Sequence, residues 1–240
     1  MTIRSNASHR RTVIFLAICA LGISSIMTQL TLMRELLSVF SGNEMVFGII
    51  LGNWLLLTGI GSYLGKSASK LRNPLVALIL AEILIAILPV AYVFLVRILR
   101  NVIFIRGAMV GLAETIVSCF VLLLPYCLIA GYLLTLACYV LSSKDEPRSI
   151  GQVYFMDNIG DIAGGLLFSF ILIYFFNHFG ILYFPAFLNL FFAGALAFSV
   201  RRRFLLAVVV LITAGFAALV ATFDLEEIST QIEYAGQNVV

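Results

Sequence analysis

A chain of 240 residues that is 62% hydrophobic, only 11% charged, and has a mean hydropathy of +1.10 is not a soluble domain, since globular usage is roughly half apolar and about a quarter charged. Backbone polar groups in hydrocarbon leave only helices or a closed barrel, and long unbroken apolar runs, rather than short alternating segments, select helices. The net charge of +3 marks topology rather than a surface for nucleic acid, and no nucleic-acid partner is expected.

Apolar runs of about 20 residues predict an all-α polytopic transmembrane helix bundle of about seven spans. The first, Val13–Met33, follows a basic segment, 1–12. Its apolar run continues through Ile26 and Leu32, beyond where a signal peptide would be cut, so an uncleaved span is predicted. The second, Met45–Gly65, carries two Gly-x-x-x-Gly spacings, Gly48/Gly52 and Gly61/Gly65. The third, Pro74–Val96, holds Glu82, and the arginine-bearing stretch 97–106 after it reads as an amphipathic interfacial helix. The fourth, Gly107–Leu141, has 35 residues, too many for one upright helix and too few for two. It reads as one tilted helix bent near Pro125, which lacks a backbone donor, or as an interfacial piece followed by a span. It contains Gly107/Gly111 and Glu114.

The fifth, sixth and seventh spans are Gly151–Phe176, Phe179–Val200 and Phe204–Phe223, followed by a polar tail, 224–240. His178 falls in the short Asn177–Gly180 turn and reads as a solvated loop residue. Cys19, Cys119, Cys127 and Cys138 form no Cys-x-x-Cys pair and read as buried free thiols. An eighth, partial pass would invert everything downstream of it.

Orientation follows from Lys and Arg in short loops. A cytoplasmic N-terminus leaves only Arg34, Arg97, Arg100 and Arg106 outside, against eleven basic residues inside. Seven spans then send the tail to the outer side. The placement expected is the inner (plasma) membrane of a bacterium.

The fifth span carries the strongest functional signal. The uncharged run after Asp161 is only 15 residues, Ile162–Phe176, so a span of about 20 must include Asp161 and reach toward Asp157. A charged side chain at bilayer depth costs about 2.5 kcal/mol or more and usually faces protein or water. At about 100° per residue, Tyr154, Asp157, Asp161 and Gly164 share one narrow face with Gly160 beside it. That stripe combines acids with small residues that admit a neighbouring helix. Two carboxylates one turn apart repel if both are charged, which suits a shared proton or a cation between them. Glu82 and Glu114, each alone on its helix, read first as acids satisfied within the bundle. Asn158 adds an amide beside the pair. The glycine pairs read chiefly as packing sites inside one bundle, and secondarily as a homo-oligomer contact. Nucleophilic catalysis finds no intramembrane His–Ser arrangement. No catalytic residue, metal or cofactor is expected in this segment.

Three pieces resemble a known pattern. They are the segment Gln29–Glu44, the segment Gly48–Gly65 with its Gly-Ile-Gly-Ser-Tyr-Leu-Gly end, and Gly151-Gln-Val-Tyr-Phe-Met-Asp-Asn-Ile-Gly-Asp-Ile-Ala-Gly-Gly165. Together, over roughly residues 15–200, they resemble the membrane domain that precedes the catalytic domain of bacterial membrane-bound spermidine synthase-like proteins, the polyamine aminopropyltransferases. The family's Gly-x-x-Tyr-x-x-Asn-x-x-Gly-x-x-x-Gly is matched by Gly151, Tyr154, Gly160 and Gly164, with Asn158 offset by one. Its usual tyrosine–glutamate pair is replaced by Thr28-Gln29. The Gly-Gly-Gly-Asp-Gly cofactor loop of the family's synthase domain does not occur in these 240 residues. The resemblance therefore implies a membrane module that anchors a fused or separate synthase domain and binds or passes a cationic polyamine, with the tail as a lead-in to that domain. A ligand-free anchor or assembly domain and a proton- or cation-coupled transporter are the alternatives.

Overall fold

Hydrocarbon offers no water to backbone N–H and C=O groups, so each crossing segment must satisfy its own. The computed structural model describes residues 2–40, 44–103, 111–141 and 148–233, of which 94% are helical and none lies in a strand. In chain order the helices are α1 (Thr2–Val39), α2 (Glu44–Leu64, extended by a 3₁₀ turn Gly65–Lys70), α3 (Pro74–Ile103) and α4 (Leu112–Leu141). They continue with α5 (Arg148–Leu167), a π turn (Phe168–Leu172) leading into α6 (Ile173–Phe175), α7 (His178–Ser199), α8 (Arg203–Thr222) and α9 (Leu225–Glu233). Seven stretches are long and apolar enough to cross a membrane: Arg10–Val39, Glu44–Lys70, Pro74–Ile98, Leu112–Leu141, Ile150–Phe175, His178–Ser199 and Arg203–Thr222.

The spans differ from the sequence expectation mainly at their ends. Helix α3 does not give way to an interfacial helix at Arg97 but runs unbroken to Ile103, because the Arg97 charge is neutralised inside the protein. Residues 104–106 of that expected helix lie outside the described residues, as does Gly107. The described part of the fourth span is a single helix through Pro125. Asn177 caps α7, its Oδ1 accepting from the Gly180 N–H at 2.8 Å.

The centre of the bundle is set by burial. In α3, 61% of the most apolar stretch is inside the protein, against 11% in α8. Helices α1, α3, α4 and α7 therefore form the core, lined by fully buried Ile79, Ile85, Val93, Leu133, Leu136 and Ala193. Helix α8 lies at the periphery against α7, with Phe216 meeting Phe187 edge-on at 5.2 Å.

Apolar surface does not drive helices together in lipid, so close packing and interhelical hydrogen bonds must. The α2–α4 pair shows both. A Cβ on Gly61 would overlap the Leu128 backbone, and one on Gly131 the Thr58 carbonyl. Across this seam Ser62 Oγ donates to the Gly131 carbonyl at 3.2 Å, and Thr135 Oγ1 donates to the Ser62 carbonyl at 3.3 Å. Asn53 Nδ2 donates to the Ile116 carbonyl at 3.2 Å. The α1–α5 pair repeats the device, with Gly160 against the Cys19 carbonyl and Gly22 against the Asp157 carbonyl. Gly65 and Gly164 also face neighbours, Thr135 and Ile23 respectively, whereas Gly48 and Gly52 are exposed with nothing within 4 Å of an added Cβ.

Candidate functional site

The acid pair lies where α5 crosses α1. A rise of 1.5 Å per residue separates Asp157 from Asp161 by about 6 Å along the helix. Gly22 of α1 seats against the turn between them, and Gly160 and Gly164 bring α1 close on one side. Both acids are partly buried. Asp157 is within electrostatic reach of Cys19 on α1 and Cys138 on α4, and Asp161 within reach of Tyr126 on α4. The stripe predicted from sequence therefore divides. Its glycine edge is buried, while Tyr154 is 46% exposed and Asn158 is exposed. Asn158 Nδ2 donates to its own helix at the Tyr154 carbonyl, 2.8 Å away. Neither Asp157 nor Asp161 makes an ion pair or a side-chain hydrogen bond among the described residues.

Buried hydroxyls lie near this pair. The Tyr126 hydroxyl is fully buried beside the hydroxyls of Ser24 and Thr28 of α1, its nearest hydrogen-bonding groups. Thr28 is fully buried as well. The acid pair thus lies at a junction of α1, α4 and α5 that also holds three hydroxyls, those of Ser24, Thr28 and Tyr126.

The opposite arrangement occurs near the ends of α1 and α3 remote from Arg10. Arg97, 5% exposed, is the hub. Its Nη2 lies 2.7 Å from Glu35 Oε1, its Nε 3.3 Å from both Glu35 oxygens, and its Nη1 2.7 Å from Glu226 Oε1. Nη1 also donates to Ser229 Oγ at 2.8 Å, and the guanidinium sits 5.3 Å from the Phe179 ring centre. His178 Nδ1 lies 3.3 Å from Arg97 Nη2 and 3.4 Å from Glu35 Oε1. That nitrogen accepts from Arg97 when bare and donates to Glu35 when protonated, never both. His178 is thus part of a half-buried network and not the solvated loop residue read from sequence, because α9 folds over it. Asp224 caps α9, accepting from the Glu226 and Glu227 N–H groups at 3.1 and 3.2 Å, and the helix packs on α3 and α7. Residues 234–240 of the tail lie outside the described residues.

The two single acids differ in kind. Glu114 is exposed in the first turn of α4, accepting from the Gly111 N–H at 2.6 Å. That is the reach-back of a capping box, so Glu114 ends a helix and is not an acid of the bundle interior. Glu82 is 1% exposed on α3, with Oε2 unpaired. On α7, which packs against α3, Asn189 is fully buried and its amide O and N are likewise unpaired.

Fold and charge distribution together define a multi-pass helical membrane protein. No family model, curated protein or solved structure matches the chain.

Proposed function

We propose that this protein is an amine-handling membrane module of the kind that accompanies spermidine synthase-like domains, set in a bacterial inner membrane. In this reading a cationic polyamine docks at the junction of α1, α4 and α5. The observation that carries it is the contrast between two acid sites. Glu35 has its cation supplied by Arg97 from within the chain, whereas Asp157 and Asp161 have none among the described residues. Acids at bilayer depth need protein, water or a counter-ion, and ammonium groups spaced along a flexible chain suit two carboxylates one helical turn apart. The Tyr126 hydroxyl adds an acceptor for a further N–H. Binding only to the folded state raises stability with ligand concentration. Spermidine should therefore raise the Tm of the wild-type protein in detergent and leave Asp157→Asn/Asp161→Asn unmoved. An equal rise in both proteins would discard this site.

A second reading, an assembly domain that binds no small ligand, is favoured by Gly48 and Gly52. Both are exposed on α2 with open space beside them, a surface suited to a second copy of this chain or to a partner helix. Under that reading Gly52→Val changes the oligomeric state and spermidine has no effect.

A further inference from the structure

A second, oppositely charged site lies at the end of the bundle that holds Arg10. Helix α7 ends and α8 begins through a three-residue turn, Val200-Arg201-Arg202. The Arg201 N–H bonds the Phe198 carbonyl at 3.0 Å and the Arg202 N–H the Ala197 carbonyl at 3.4 Å. This is the Schellman pattern, whose left-handed position normally takes glycine. Here it is Arg201, at φ 55°, although a side chain in that conformation is strained. Three consecutive exposed arginines, Arg201, Arg202 and Arg203, are thereby fanned around the turn. They line a cavity of about 1010 Å³ together with Arg10 of α1, exposed Phe198 and Leu206.

Two features give this cavity one polarity, and a third sets it beside hydrocarbon. None of its four arginines has a carboxylate partner among the described residues. Helix α8 has Arg202 as its N-cap, with no side chain capping its first N–H groups, and a bare helix N-terminus favours an anion. The cavity's apolar lining residues Phe198 and Leu206 belong to the membrane-spanning helices α7 and α8. Topological arginines need none of this convergence, nor the glycine position in the turn.

We infer that the cavity between the start of α1 and the α7–α8 turn binds a phosphate-bearing anion, supplied by the headgroup of an acidic phospholipid. Guanidinium forks pair with phosphate oxygens bidentately, and the uncapped N–H groups of α8 take a third side of the phosphate. Phe198 and Leu206 then meet the start of the acyl chains. Basic pockets between membrane helices are suited to such headgroups.

The test uses the full chain in detergent micelles doped with phosphatidylglycerol or phosphatidylcholine, with retained lipid counted by native mass spectrometry. Wild type should retain phosphatidylglycerol and not phosphatidylcholine. Arg10→Gln/Arg202→Gln/Arg203→Gln should weaken retention roughly a hundredfold, about fivefold per basic group. Removing three exposed charges from the α2–α3 connection, Lys66→Gln/Lys70→Gln/Arg72→Gln, should weaken it less than about threefold if binding is local rather than a diffuse surface field. Arg201→Gly tests the turn independently: it should raise Tm by relieving the left-handed residue while lowering retention. Equal losses from both triple variants would overturn the inference, as would retention of the zwitterionic lipid. Displacement by millimolar inorganic phosphate would reassign the site to a soluble phosphate and overturn the lipid claim. A fall in Tm for Arg201→Gly would remove the argument from the turn.

Discussion

Replacing Arg97 with alanine should be among the most damaging single changes in this protein. The side chain is 6% exposed and holds Glu35, 7% exposed, at 2.7 Å and Glu226, 22% exposed, at 2.7 Å. Its removal leaves buried Glu35 with only His178 beside it, at 3.4 Å, and breaking a buried pair from one side costs about 3–5 kcal/mol. The hydrogen bond to Ser229 Oγ at 2.8 Å goes too, a net loss of about 1 kcal/mol that partly overlaps the first. Glu226 is exposed enough to rehydrate and adds little. The expected total is about 4 kcal/mol, with α9 freed from α3. Arg97→Met/Glu35→Leu removes both charges and should lie within about 1.5 kcal/mol of wild type, since a buried pair replaced by apolar groups is often neutral. Unfolding can be followed with a thiol-reactive dye, because Cys119, Cys127 and Cys138 are buried free thiols. If Arg97→Ala falls within about 1 kcal/mol of wild type, or the double variant is as unstable as the single, the network does not hold the helices as argued.

Gly131→Val should separate α2 from α4 and cost about 1–3 kcal/mol by overpacking, because its Cβ overlaps the Thr58 carbonyl. Gly52→Val, facing open space, should change stability by no more than about 0.5 kcal/mol, and denaturant titration of the two separates a packed glycine from an unpacked one. Glu114→Ala should cost about 1 kcal/mol through loss of the α4 cap, measured the same way, and a loss above about 3 kcal/mol would return it to the interior. Reporter fusions after Arg72, Arg148 and Arg203 should report the cytoplasm, and one after Val240 the outer side. Cytoplasmic signal at both Arg203 and Val240 would contradict seven crossings.

Hydropathy made the spans legible, because a helix in lipid must be apolar for about 20 residues. It did not make their ends legible. The apolar runs stop at Met33 and Val96, just before Arg34-Glu35 and Arg97, yet both helices continue, since the Glu35–Arg97 pair cancels the charges that seem to end them. The available signal was a pair of opposite charges near the same end of two spans that run in the same direction. Gly-x-x-x-Gly spacing identified glycines able to approach a neighbour but not which ones have one. Gly52 and Gly61 lie on the same helix, and only the second meets another backbone. The acid pair was visible in the shortness of the run after Asp161. The exposure of Tyr154 was not, because α5 has only 22% of its most apolar stretch inside the protein, and helical phase cannot say how many sides of a helix are covered. Tyr126 gave no signal near the acids, since it sits inside an unremarkable apolar run. His178 was lost to the assumption that a short turn is solvated, when α9 covers it.

Asp157 and Asp161 have no cation partner among the described residues, and in the proposed reading an external amine supplies it. Calorimetric titration of spermidine into the purified wild-type chain, alongside Asp157→Asn/Asp161→Asn and Arg97→Met/Glu35→Leu, tests this directly. The account predicts saturable heat for wild type and for the Arg97/Glu35 variant, which leaves the acid pair intact, and none for the Asp157/Asp161 variant while its thermal unfolding remains cooperative. No heat from wild type at millimolar spermidine, or unchanged heat from the Asp157/Asp161 variant, would contradict it.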